Sequence, residues 1–346
     1  MATADRGERP IDGKEVWVIV LAGGEGKRMR PFVRSWLGEE RPKQYCTFTG
    51  SRSMLRLTWD RATALTAPQR VVTVVAPHHR RYLDSGDGTA APGRIVEQPV
   101  DRGTAAGLFL PAAMIAAHDP DAVVVVLPAD HFVHPEEAFL RVLRRACRTV
   151  RRRPDRLLLI GAAADAAETD YGWIVPSLPL AREARPVARF VEKPSPEVAR
   201  GLLAGGGLWN TMVMAVQVET LWSLGWLLLP RMMIGFEALR RDLARRRQAA
   251  PSPAALATLY ADLPSADLSR DLVQASPEAT LVLPLAGVTW SDWGRPERIV
   301  ESLAGLGRPL PPPLATAAAV ATGATKPAAA RRARRLDGPV PASLLA

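Results

Sequence analysis

Cysteine is nearly absent from this 346-residue sequence, in which Cys46 and Cys147 stand alone. Two thiols without C-x-x-C spacing exclude a disulfide scaffold and a cysteine zinc site, and they fit a reducing cytoplasm. Long apolar runs are missing as well. The first ten residues are polar and charged, and the richest apolar stretch, 208–236, is interrupted by Gln217, Glu219 and Arg231. Neither a secretory leader nor a membrane partner is expected. Lysine is scarce: Lys14, Lys27, Lys43, Lys193 and Lys326 are five of 45 basic residues. Where arginine is the default cation, a lysine is consistent with a need for a compact point charge rather than a planar fork.

What is present is apolar and basic. The chain is 47% apolar with a net charge of +10, enough to bury a large core in one big α/β domain or two smaller ones. Much of the positive charge lies in arginine clusters at 141–156, 240–247 and 331–335. The first two fall on helix-like patterns, where arginine forms a solvated face, and no aromatic residues interleave with them as a base-stacking platform requires. No nucleic-acid partner is expected.

Residues 15–21 form a short, almost wholly apolar run ending in Gly-Gly, the pattern of a buried parallel strand feeding a loop. Similar runs follow at 70–76, 122–127 and 157–160, with further strands at 186–192, 208–218 and 279–285. Helical periodicity marks 53–65, 104–117, 136–150 and a long segment from 219 to about 263. This alternation indicates an open α/β sheet with helices on both faces, whose ligands bind beyond the carboxyl ends of the strands. Residues 1–13 are expected to be flexible and 14–306 to form the folded domain. The Pro-, Ala- and Arg-rich tail at 307–346 has little to bury and is expected to be disordered.

The segment Leu21-Ala22-Gly23-Gly24-Glu25-Gly26-Lys27-Arg28-Met29-Arg30-Pro31 follows the first strand. Glycines there let the backbone approach a polyphosphate, and Lys27, Arg28 and Arg30 would offset its charge. The dinucleotide fingerprint needs a glycine where Met29 stands. A P-loop needs Ser or Thr in place of Arg28 and glycine in place of Leu21. Neither pattern fits, and a plain strand-to-helix turn remains the alternative. Asp130 and Asp292 could each cap a turn, Lys193 could be a surface lysine, Asn210 and Thr211 could cap a helix, and Trp209 could belong to the core.

Taken together, these residues resemble the sugar nucleotidyltransferases. Leu21 to Pro31 with Arg41-Pro42-Lys43-Gln44 is similar to that family's LAGGxGTRLxP and PKQ pair. In the family's order follow Glu97-Gln98-Pro99 with Arg102-Gly103-Thr104-Ala105, then Leu127-Pro128-Ala129-Asp130-His131 and Tyr171-Gly172-Trp173-Ile174. Phe190-Val191-Glu192-Lys193-Pro194, Trp209-Asn210-Thr211 and Trp290-Ser291-Asp292-Trp293-Gly294 complete the set. The PKQ, RGTA and FVEKP forms are those of the mannose-1-phosphate guanylyltransferase branch. The sequence departs from the pattern at Lys27, which replaces a threonine, at 211–214, which lacks the WNSG glycine, and at Trp293.

The resemblance implies a Rossmann-like, GT-A-type α/β nucleotidyltransferase fold with a mostly parallel mixed sheet. It implies attack of a hexose 1-phosphate on the α-phosphorus of a nucleoside triphosphate, with GTP and mannose 1-phosphate favoured and Mg2+ as cofactor. Leu21, Ala22, Gly23, Gly24, Gly26, Lys27 and Arg28 are then expected around the triphosphate, with Gln98, Gly103 and Thr104 at the base or ribose. Lys43 would serve the α-phosphate, Lys193 the sugar phosphate, and Gly172, Glu192 and Asn210 the sugar hydroxyls. Asp130 and Asp292 are expected to hold the metal. The alternatives are a sister enzyme using UTP, dTTP or CTP and a non-catalytic nucleotide-sugar sensor; a homodimer is compatible with any of these.

Overall fold

The computed structural model describes residues 16–83, 90–178, 183–311 and 314–315. The segment expected to be flexible at 1–13, the arginine cluster at 331–335 and most of the tail from 307 lie outside them. In chain order the elements are β1 (Val16–Leu21), α1 (Arg30–Leu37), α2 (Met54–Thr63), β2 (Val71–Val75), β3 (Arg94–Glu97), α3 (Gly103–Ala116) and β4 (Val123–Pro128). There follow β5 (Phe132–His134), α4 (Glu136–Arg152), β6 (Leu157–Ala163), β7 (Gly172–Pro176), β8 (Arg185–Glu192), α5 (Pro196–Ala204) and β9 (Leu208–Gln217). The last are α6 (Val218–Leu228), α7 (Pro230–Arg246), α8 (Pro253–Ala261), β10 (Thr280–Pro284), β11 (Thr289–Ser291) and α9 (Pro296–Gly305).

Among the described residues a nine-stranded sheet has the order β3-β2-β1-β4-β9-β6-β10-β8-β7. The strands β3, β2, β1 and β4 run parallel. β9 opposes β4 and β6, β10 follows β6, and β8 opposes both β10 and β7. Only β8 and β9 therefore run against the other strands, and the sheet is mixed but mostly parallel. A small antiparallel pair, β5 with β11, stands apart.

Alternation along each central strand divides the core in two. Trp17, Ile19, Val72, Val74, Val124 and Val126 face a layer built by α3, α6, α7 and α8. Val16, Val18, Val20, Val123, Val125 and Leu127 face α2, α4 and α5. Helix α3 is buried along almost its whole length because the sheet covers one side and α6 and α7 the other. That is why its sequence is apolar all round. Elsewhere the helix ends follow local chemistry: Ser53, Ser195 and Ser252 accept hydrogen bonds from the first turns of α2, α5 and α8, each satisfying an otherwise orphaned N–H.

The structure differs from the sequence expectations in several places. The single helix expected over 219 to about 263 is three helices, broken before Pro230 and again between Arg246 and Pro253, because proline cannot donate within a helix. Arg94–Glu97 and Gly172–Pro176 are strands that the hydrophobic pattern missed. A third cluster, containing Met29, Val33, Phe48, Phe132, Trp293 and Ile299, also takes in Leu314, so the packed body extends beyond residue 307. On α7, arginines 240, 241, 245 and 246 pair with Glu237 or Asp242 one turn away, which makes this basic cluster a solvated, partly neutralised face.

Candidate active site

The parallel strands β1, β2, β3 and β4 deliver their carboxyl ends side by side, with Leu21 level with Val74 and Pro128. The chain leaves β1 as the glycine segment and β4 at Ala129-Asp130, and the Ala129 N–H donates to the Leu21 carbonyl at 3.0 Å. Strand β9 runs the other way and begins at this edge, which brings Trp209 and Asn210 beside Ala162 and Gly161 of β6. Topology alone therefore gathers residues that are far apart in sequence.

The glycine segment is held from below by the turn at Lys43–Tyr45. Gln44 Nε2 donates to the carbonyls of Ala22 at 2.9 Å and Gly24 at 2.7 Å, and the Tyr45 hydroxyl donates to Ala22 at 3.2 Å. These bonds take up carbonyls and leave backbone N–H groups of the segment for an anion. Gly26 has φ +59°, and a Cβ there would stand 3.1 Å from the Lys43 backbone nitrogen. Gly26→Ala is therefore expected to cost about 1–3 kcal/mol, read as a lower urea midpoint with an unchanged m-value. Lys27 and Arg28 are exposed beyond the turn.

Lys43 is only 5% exposed and is the hub of the site. Its Nζ lies 3.1 Å from Asp130 Oδ2 and donates to the Asp292 backbone carbonyl. Burial alone would raise the Asp130 pKa, but the charge of Lys43, the neighbouring His131 and the hydrogen bond from Lys43 together outweigh it and hold the carboxyl below its usual range. Asp292 is 7% exposed and follows β11. Its Oδ1 accepts from the Tyr171 hydroxyl at 2.7 Å, Arg298 Nη1 at 2.7 Å and the Gly294 N–H at 2.9 Å. Among the described residues its Oδ2 meets only Arg28 Nη2, at 3.3 Å. Burial again works to raise this pKa, and Lys43, Arg298 and those hydrogen bonds drive it far below the carboxylate range. One oxygen of Asp292 is thus fixed by three donors while the other faces Arg28, whose second branch pairs with Asp170 at 2.8 Å.

Asp130 and Asp292 present a pair of ionised carboxylates beside the glycine segment. An all-oxygen donor set of one or two carboxylates completed by phosphates and water suits Mg2+, so the residues fit the metal that the motifs imply. His131, to which no chemistry was assigned, accepts from Trp290 Nε1 at 3.3 Å, and burial lowers its pKa.

A second group lies next to the first. Gly172 and Glu192 are partners across β7 and β8, and a Cβ on Gly172 would come within 2.6 Å of Glu192 Oε2. The glycine makes room for that carboxylate. Lys193 Nζ pairs with Glu192 Oε1 at 3.3 Å and is largely exposed. Burial raises the Glu192 pKa against the pull of Lys193. Asn210 is buried, and its Oδ1 accepts from the Met212 N–H at 3.1 Å. Trp209 packs edge-on against Tyr171 with ring centroids 5.1 Å apart. Since the Tyr171 hydroxyl also bonds Asp292, one short relay of contacts joins the two groups.

The residues expected at the base are more firmly built in. Gln98 lies between Gly23 and Gly107 and donates to the Tyr260 hydroxyl at 3.2 Å. Gly103, at φ +82°, presses against the Ala266 carbonyl, and the Thr104 hydroxyl accepts from the Leu268 N–H at 2.8 Å. They anchor the 266–268 turn onto the start of α3.

Backbone strain also concentrates here. Of the non-glycine residues with positive φ, Lys193 (45°), Met212 (57°) and Trp293 (44°) lie within two residues of Glu192, Asn210 and Asp292. Such conformations cost about 1–3 kcal/mol each and persist where the surroundings over-determine them. Met212 stands where the WNSG motif has its glycine and keeps the left-handed backbone without it. Trp293 is held by stacking on Phe132 at 4.4 Å. Sequence reasoning assigned no role to Gln44, Tyr171 or Arg298. The first two fall inside quoted motifs, whereas Arg298 carried no signal: it sits on α9, 6% exposed at the side chain, between Asp292 and Glu168.

Comparisons with known proteins follow the same lines. The chain is 32% identical over 201 residues to xanthan biosynthesis protein XanB of Xanthomonas campestris pv. campestris, covering 57% of this chain and 41% of that protein. It is 34% identical over 187 residues to a mannose-1-phosphate guanylyltransferase of Salmonella muenchen, covering 53% and 38%. The chain thus spans about two fifths of the length of the curated relatives it matches. Among solved structures, that of mannose-1-phosphate geranyltransferase from Thermus thermophilus superposes with a TM-score of 0.66 at 26% identity, over 83% of this chain and 79% of that one. The sequence model of the nucleotidyl transferase family matches residues 17–306, and with the motifs in family order on the matching fold, the chain belongs to that family.

Proposed function

We propose that the protein transfers a nucleotidyl group from a nucleoside triphosphate, GTP being favoured, to a hexose 1-phosphate, mannose 1-phosphate being favoured. A phosphate oxygen of the sugar phosphate attacks the α-phosphorus, the bond to the β-phosphate oxygen breaks, and pyrophosphate leaves with that electron pair. The observation that carries the proposal is Lys43, buried against Asp130 and Asp292 beneath a glycine segment whose carbonyls are tied down. The names of the guanylyltransferase relatives support the choice of substrates.

Such a displacement needs in-line placement of two anions and neutralisation of charge around phosphorus, with little covalent help from the protein. The backbone of Gly23, Gly24 and Gly26, with Lys27 and Arg28 beside it, cradles the triphosphate. Lys43 sets a fixed ammonium against the α-phosphate, where charge builds. Lys193 holds the sugar phosphate, while Glu192, Asn210 and the Gly172 backbone receive the sugar hydroxyls. Gln98, Gly103 and Thr104 form the wall toward the base and ribose. Asp130 and Asp292 are the residues that would hold Mg2+, which supplies Lewis-acid neutralisation of the phosphates. No general base is required, because the sugar phosphate is already ionised. The substrates are phosphorylated intracellular metabolites, so a cytoplasmic location belongs to the same proposal, as does a homodimer, checked by sedimentation.

A panel of nucleoside triphosphates against hexose 1-phosphates, with pyrophosphate detection, is expected to give its highest kcat/KM for GTP with mannose 1-phosphate. A higher value for UTP, dTTP or CTP would assign the chain to a sister reaction. Tight nucleotide-sugar binding with no turnover for any pair would make it a sensor and overturn the enzyme.

A further inference from the structure

The loop after β2 carries a feature that the proposed reaction does not use. His78 and His79 lie in a short helical turn, Pro77–Tyr82, directly after that strand. Because β1 and β2 are parallel neighbours, this turn stands beside the glycine segment, and Glu25 reaches across to it. Glu25 Oε1 is 2.8 Å from His78 Nε2 and 3.5 Å from His79 Nε2. One donor atom from each of the three residues falls within 4.8 Å of the others.

We propose that Glu25, His78 and His79 bind a borderline transition-metal ion such as Zn2+, at a site separate from the Asp130 and Asp292 pair. A tetrahedral ion with bonds of about 2.0–2.1 Å holds its donors about 3.3 Å apart, and the Glu25 to histidine separations bracket that spacing. Two imidazoles with one carboxylate form a ligand set preferred by Zn2+, Co2+ and Ni2+ over Mg2+, which prefers oxygen donors. Three protein ligands leave a fourth position open.

Two further observations point the same way. His79 is fully buried, yet neither of its ring nitrogens completes a well-formed hydrogen bond among the described residues, the Ala22 carbonyl and Glu25 Oε1 being its polar neighbours. A buried imidazole so weakly partnered forfeits part of the about 1–3 kcal/mol that a satisfied polar group keeps, and a bound metal would recover it. The ring is fixed in place, edge-on to Tyr45 with centroids 5.3 Å apart. Glu25 is also oriented: its Oε2 accepts from Arg30 Nη2 at 3.2 Å, which leaves Oε1 turned to the histidines, as outer-shell partners do for metal ligands.

The functional reach of the site follows from Glu25 standing between Gly24 and Gly26. An ion there would cross-link the glycine segment to the turn after β2 and restrict the loop that the proposed reaction places around the triphosphate. Metal binding itself needs none of that chemistry, so the site can be tested whether or not the substrate assignment holds.

The test uses the full, tag-free chain, stripped with a chelator and kept in excess Mg2+ to occupy the carboxylate pair. Titration with Co2+, followed by its visible d–d absorption, is expected to show one tight equivalent with a low-coordinate spectrum, and Zn2+ is expected to displace it. His78 is exposed and Glu25→Gln is isosteric, so both variants are expected to fold. His78→Ala and Glu25→Gln should each weaken Co2+ at least about tenfold, whereas Asp130→Asn should leave it unchanged. No Co2+ binding by the wild type, unchanged affinity in both loop variants, or loss only in Asp130→Asn would each overturn the proposal.

Discussion

Lys43→Met is expected to lower kcat for pyrophosphate release by about 10²–10³-fold or more while moving the denaturation midpoint little. Removing one pre-organised donor from a developing phosphoryl charge costs about that much in other active sites, and here a full cation is lost. Of the three Nζ protons, one is directed to Asp130 and one to the Asp292 carbonyl, so that one remains for a phosphate oxygen. The stability cost is smaller because Asp130 is 36% exposed at the side chain and regains water when its partner leaves. Lys43→Arg should not rescue the rate, since a planar guanidinium does not reproduce the compact point charge of an ammonium whose residue is only 5% exposed. Retention of more than a tenth of wild-type kcat by Lys43→Met would remove the lysine from the reaction.

This contrast between rate and stability also explains how much of the site was legible in the sequence. Lys43 could be read because the chain uses lysine so rarely and because it falls in a motif. The glycine segment could be read because a buried strand followed by glycines and cations has few other uses. Gln44 was visible as a letter of the same motif, but its function, tying the Ala22 and Gly24 carbonyls, depends on a turn geometry that periodicity does not encode. Arg298 was not legible at all. It reaches Asp292 across one turn of chain and Glu168 across 130 residues, and only the folded sheet brings those carboxylates together. Met212 and Trp293 show the opposite limit, because local propensity argues against left-handed backbone at both, and tertiary packing overrides it.

The fold was legible where hydrophobic runs were long and continuous. The central strands β1, β2 and β4 are buried on both faces and read as near-continuous apolar runs, broken only by Thr73 in β2 and ended by Pro128 in β4. Arg94–Glu97 and Gly172–Pro176 escaped because each is short and flanked by polar or turn-forming residues. The reversal of β9 could not be read either. Yet that reversal is what sets Asn210 at the carboxyl ends of the parallel strands, so the sugar side of the site depends on topology more than on composition.

Asp292→Asn is expected to fail in both rate and stability, which separates it from Lys43→Met. Its Oδ1 accepts three hydrogen bonds, and its Oδ2 faces the Arg28 guanidinium. An amide of the same shape must turn its NH2 either toward Arg28, losing the charge that would hold the metal, or toward Tyr171, Gly294 and Arg298, placing donor against donor. With either orientation kcat should fall about 10²–10³-fold. Arg298 keeps Glu168 as a partner, so the stability loss is that of weakened buried charge-assisted bonds, about 1.5–3 kcal/mol, rather than that of an abandoned ion. The pH dependence gives an independent check. The Asp292 carboxyl is held far below its usual range, so its contribution to stability is complete above the unfolded carboxylate value of about 3.9. It is withdrawn as pH falls from there toward the depressed folded value. Urea midpoints measured from neutral pH downward should therefore drop below pH 4 more steeply in the wild type than in Asp292→Asn, with the two curves converging at the acid end. Parallel curves across that range would mean that Asp292 is not the carboxylate on which the acid stability of the site depends.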